Sequence, residues 1–106
     1  MNYRFMRIII FFDLPTLTSA NRRHYRKFVK EMKKEGFIML QESVYTKLAI
    51  THAQSQLIKG RLNKHLPPEG LVFALTVTEK QFGDMDVLVG ENQTNIVSDG
   101  SRLVEL

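Results

Sequence analysis

Phe-Met-Arg-Ile-Ile-Ile-Phe-Phe-Asp, residues 5–13, is the stretch on which the fold turns. β-Branched and aromatic side chains dominate it, which is strand composition. Asp13-Leu14-Pro15 ends it, because proline has no N–H to donate and cannot continue a central ladder. Alternate side chains of a strand face opposite sides. Ile8, Ile10 and Phe12 therefore share one face, while Ile9 and Phe11 share the other with Arg7 and Asp13 at its two ends. Both faces are apolar at the centre, the pattern of a strand covered on both sides.

Working outward, Thr18 or Ser19 is placed to cap a helix running to about Glu35. Tyr25, Phe28, Val29 and Met32 fall at i, i+3, i+4 and i+7 and form its buried stripe. Gly36 is placed to stop it. Residues 37–50 hold enough strand for two elements, but no Gly or Pro marks the turn between them. A hairpin at Gln41-Glu42 and a long bulged strand followed by a short one both fit. Thr51 and Gln54 form a T-x-x-Q capping box for a second helix to about His65, burying Leu57, Ile58 and Leu62. Pro67-Pro68-Glu69-Gly70 is a turn, Leu71 to Thr78 a strand, Glu79 to Asp84 a short turn or helix, and Val87-Leu88-Val89 a short final strand.

This order is α+β: a ferredoxin-like β-α-β-β-α-β domain, residues 1–90, with an extra C-terminal strand. Residues 91–106 form a polar linker and a tail carrying Ile96, Val97, Leu103 and Val104. Both helices of such a domain lie on one sheet face. The second face of the opening strand needs its own cover, and a second copy of the same sheet supplies one, giving a C2 homodimer. A fold-back of the tail is the other way to cover it.

At 106 residues the chain is one domain by length, and an apolar fraction of 43% excludes a disordered polymer. It has no cysteine, so disulfides and thiolate metal sites are excluded, which fits a reducing cytoplasm. No apolar run reaches membrane-spanning length, and the N-terminus lacks the layout of a signal peptide. The net charge of +4 hides an asymmetry: residues 1–65 hold 13 Lys/Arg against 4 Asp/Glu, and residues 66–106 hold 2 against 7. One half is built to meet an anion.

Most of that charge sits on the first helix. Arg22, Arg23, Arg26, Lys27, Lys30, Lys33 and Lys34 all lie off its apolar stripe. Arg22, Arg26, Lys30 and Lys33 make a row about 16 Å long at ~1.5 Å rise per residue. Duplex DNA offers two phosphates per ~3.4 Å of axis, so the row spans several, with no sequence readout implied. Arginines near the helix start oppose the macrodipole, which argues for a purpose beyond helix stability.

Asp13 at the strand end is a candidate Mg²⁺ ligand, yet one carboxylate makes a poor site and Asp84 and Asp86 are distant in sequence. Dimerisation would bring a second Asp13. Read from its neighbours alone, Asp13 is better placed to cap the Asp-Leu-Pro turn. His24, His52 and His65 show no ligand spacing, and neither a G-x-S-x-G elbow nor a Gly-rich phosphate loop is present. The RNA-recognition fold shares the topology but needs a Lys/Arg-Gly-Phe/Tyr segment that the chain lacks.

Several segments together resemble the CRISPR-associated protein two family, in the variety that accompanies subtype II-A systems. They are Ile-Ile-Phe-Phe-Asp-Leu-Pro (9–15), Arg-Arg-His-Tyr-Arg-Lys-Phe (22–28), Gly-Phe-Ile-Met-Leu-Gln-Glu-Ser-Val-Tyr (36–45), Pro-Pro-Glu-Gly-Leu-Val (67–72), Leu-Thr-Val-Thr-Glu-Lys-Gln-Phe (75–82) and Val-Leu-Val-Gly (87–90). The resemblance implies a ferredoxin-like homodimer that bridges dimers of the CRISPR integrase, CRISPR-associated protein one, during spacer acquisition. In that setting the chain holds duplex DNA backbone, and the basic face of the first helix offers Arg22, Arg23, Arg26, Lys27 and Lys30 as the phosphate contacts. It also implies the activity ascribed to the family, a Mg²⁺-dependent endonuclease on single-stranded RNA or on DNA, with Asp13 as metal ligand and catalytic residue. By position, Ile96, Val97, Leu103 and Val104 would dock on the integrase as an added strand.

Overall fold

The computed structural model describes residues 5–90; the docking residues expected at Ile96, Val97, Leu103 and Val104 lie outside them. Four strands, β1 (Met6–Asp13), β2 (Ile38–Gln41), β3 (Val44–Ala49) and β4 (Leu71–Thr78), form one sheet in the order β2-β3-β1-β4. Every neighbouring pair is antiparallel. Two helices, α1 (Ser19–Lys34) and α2 (His52–Leu62), make the crossovers, and α3 (Glu79–Gly83) follows β4. This is the expected ferredoxin-like arrangement, with the opening strand at its centre.

Thr18 is the cap of α1: its side chain accepts from the Asn21 amide at 2.9 Å while the Asn21 side chain accepts from the Thr18 amide at 3.2 Å. Gly36 ends the helix at φ +96°, a conformation glycine adopts without strain. At α2 the box is only half made. Thr51 accepts from the Gln54 amide, but the Gln54 side chain reaches past it to the Ile50 amide at 2.7 Å.

Ile8, Ile10 and Phe12 of β1 face the helices and build the core with Phe28 and Met32 of α1, Ile58 and Leu62 of α2, and Tyr45 of β3. Phe12 is its hub, with ring centroids 5.9 Å from Tyr25, 5.6 Å from Phe28 and 5.8 Å from Tyr45. Leu57, expected in the core, is instead 65% exposed. The buried stripe of α2 is Ser55, Ile58 and Leu62, and Leu57 lies ~200° around the helix from Ser55.

The other sheet face is apolar and largely open. Ladder pairing sets Phe11 opposite Phe73, Ile9 opposite Leu75 and Asp13 opposite Leu71. Phe73 is 62% exposed and Leu75 50%. Among the described residues only one end is covered, where α3 lays the Phe82 ring over the Arg7 guanidinium, 4.4 Å from its carbon to the ring centroid. Arg7 also makes a two-pronged bond to Glu79, at 2.8 and 2.6 Å. The extra strand expected at 87–89 does not form. Leu88 and Val89 are exposed and irregular. A strand needs a neighbour for its ladder, and the described residues offer none there.

Candidate nucleic-acid interface

The apolar stripe of α1 pins one side of the helix to the sheet, so its other residues face outward. Arg22, Arg23, Arg26, Lys27 and Lys30 are all exposed, as expected. The helix carries a single acid, Glu31, which lies 3.8 Å from Lys34 and 3.8 Å from His65. Among the described residues, Arg23, Arg26, Lys27, Lys30 and Lys33 have no ion-pair partner. A helix surface built for solubility alone gains from i,i+4 acid–base pairs. Here the cations stand unneutralised in one row.

Arg22 differs from the rest. Its guanidinium donates to the carbonyl oxygens of Thr16 and Leu17, at 3.1 and 3.0 Å. An arginine at the helix start, unfavourable to the macrodipole, thus fastens the loop that leads into the helix. Part of its purpose is structural, which sequence spacing does not show.

Asp13 ends β1 on the open sheet face and is exposed. The turn-capping bond expected of it is not made: its carboxylate has no hydrogen bond or ion pair among the described residues. Nor do other donors gather around it. No group of three His, Asp or Glu side chains among the described residues is arranged to hold a metal ion. Mg²⁺ seeks octahedral oxygen coordination and is rarely held by one carboxylate. The donor set that the described residues of a single chain offer therefore does not fit Mg²⁺.

Two groupings escaped the sequence because their members are far apart in it. His24 and Lys27 of α1 share a small cavity with Lys64 and His65, which follow α2. Tyr25, Val29, Met39 and Tyr45 line a larger groove between α1 and the β2–β3 hairpin, with Arg26, Lys30 and Lys33 along its edge. Burial pushes the Tyr45 hydroxyl above its ordinary 10.0, and the neighbouring Tyr25 and Glu42 add to the shift. No described helix is long and apolar enough to cross a membrane.

Comparison with known proteins matches these features to one family. The family model described as CRISPR associated protein Cas2 matches residues 6–85. A "CRISPR-associated endoribonuclease Cas2" of Treponema denticola is 48% identical over 101 residues, covering 95% of this chain and 100% of that protein. One of Streptococcus mutans is also 48% identical, covering 95% and 93%. A solved structure titled "Crystal structure of cas2" superposes with a TM-score of 0.51 at 20% identity, covering 85% of this chain and 92% of that one, and supports the fold. With its opening strand, basic first helix and strand-end aspartate all inside the matched span, the chain belongs to the Cas2 family.

Proposed function

We propose that the chain is the DNA-holding adaptor of a CRISPR spacer-acquisition complex. It acts in the cytoplasm as a homodimer between integrase dimers, and residues 91–106 form its docking segment. The observation that carries this reading is the row of exposed cations on α1 with no ion-pair partner among the described residues. Such a row binds phosphates by charge, without reading bases. Its affinity for duplex is steeply salt-dependent, each phosphate contact contributing a slope of about −0.9 in log K against log salt. The test is duplex binding by the full chain from 50 to 200 mM salt, beside Arg26→Glu/Lys30→Glu. The double variant is expected to bind at least tenfold more weakly, with a slope shallower by about two contacts. Unchanged affinity and slope would remove the reading.

A second reading is a metal-dependent endonuclease acting on single-stranded RNA or DNA. The names of the relatives favour it for RNA, as does an Asp13 carboxylate that is exposed and uncommitted. It requires Asp13 of a second copy, or another donor, to complete a Mg²⁺ site. Mg²⁺-stimulated cleavage of single-stranded RNA by the purified protein, abolished in Asp13→Ala, is its signature. Cleavage that survives the substitution would point to another source.

A further inference from the structure

Between α1 and the β2–β3 hairpin lies an open groove of about 670 Å³. Its lining is apolar and aromatic at Tyr25, Val29 and Met39, and includes Tyr45, which is itself only 4% exposed. Met39, on the edge strand β2, is 52% exposed, so apolar surface is left open there. The Tyr25 and Tyr45 side chains both line the groove, and a phenol hydroxyl both donates and accepts hydrogen bonds. One side of the groove is formed by Arg26, Lys30 and Lys33, and Glu42 stands on the hairpin side.

An apolar, aromatic lining with polar hydroxyls, bordered by a line of cations, matches a nucleotide in both of its parts. We propose that the groove receives an unpaired nucleobase from a single strand whose phosphates run along Arg26, Lys30 and Lys33. The inference rests on the reading that the α1 row holds phosphates, and adds what lies beside that row. Aromatic and apolar platforms take bases with little sequence preference, since every base has a π-face. A paired base, stacked inside its duplex, cannot enter. An acidic, apolar peptide is the other ligand of suitable charge. The nucleic acid is favoured because the cations continue along α1 past the groove, to Arg22 and Arg23, as a strand's phosphates would need.

The experiment compares two labelled 12-mers of equal charge, oligo-dT and a fully abasic strand, binding to the full chain by fluorescence anisotropy at one salt concentration. Oligo-dT is expected to bind about tenfold tighter, the lower range for one base on an aromatic platform. Met39→Ser is expected to reduce that ratio to near one while leaving abasic affinity unchanged. Met39→Leu is expected to keep the ratio. Equal binding of the two strands by the unaltered protein overturns the base site and leaves the phosphate row standing. No binding of either strand while duplex is still bound overturns the single-strand proposal and leaves the phosphate row standing, and loss of duplex binding as well overturns both. A Glu/Leu-rich peptide bound at the groove and lost in Met39→Ser, with no preference for oligo-dT over the abasic strand, assigns the groove to peptide and overturns the proposal.

Discussion

Arg7 shows how much a single side chain can carry without announcing itself. In the sequence it is the polar end of a strand face. In the fold it is buried, joined to Glu79 by two hydrogen bonds across a separation of 72 residues, and stacked on Phe82. Its partners arrive only with the tertiary structure, so no local pattern reveals them. The guanidinium is compensated on two sides, and removing it leaves a part-buried carboxylate alone. Arg7→Ala is expected to lower unfolding free energy by about 2–4 kcal/mol in urea titration, with α3 exchanging its amides faster. Tyr45 gives a prediction at the other end of the pH scale. Its raised pKa means that the folded state holds the phenolic proton more tightly than the unfolded chain. The resulting stability is present below the unfolded value near ~10 and is lost as pH rises through the folded value. Tyr45→Phe is expected to flatten the alkaline fall in stability, measured as unfolding free energy from pH 9 to 11.

At the scale of elements, α1 was readable from its i, i+3, i+4, i+7 stripe, and β1 and β4 from β-branched and apolar runs bounded by turn signals. The hairpin was not, because its turn uses no glycine. The two-residue turns that match strand twist need positive φ, yet no non-glycine residue among those described adopts it. Glu42-Ser43 makes the turn instead, and a register shift between Met39 and Gln41 absorbs the mismatch. Leu57 is apolar yet points away from the Ser55, Ile58 and Leu62 stripe, and Val87-Leu88-Val89 has strand composition but no ladder partner among the described residues. The open face of the sheet was legible from β1 alone, since Ile9 and Phe11 require a cover that α1 and α2 do not give. Phe73 adds a large exposed ring at its centre. If two such faces meet as proposed, Phe73→Glu buries two charges in an apolar interface. The variant is expected to sediment as a folded monomer where the unaltered chain sediments as a dimer; matching masses would refute the sheet-to-sheet contact.

Across the whole molecule, two sites compete for the function, and they differ in completeness. The α1 face is finished within one chain, with cations exposed and unneutralised. Asp13 is one carboxylate on the rim of the open face, with no group of metal-holding side chains around it among the described residues. The sequence showed both sites but not this difference, which depends on what surrounds each side chain. The most direct measurement is spacer insertion in a reconstituted complex with the integrase, comparing Asp13→Ala with Arg26→Glu/Lys30→Glu. The account predicts full insertion by Asp13→Ala and loss of insertion together with duplex binding in the charge-reversed variant. Insertion abolished by Asp13→Ala with duplex binding intact would contradict it.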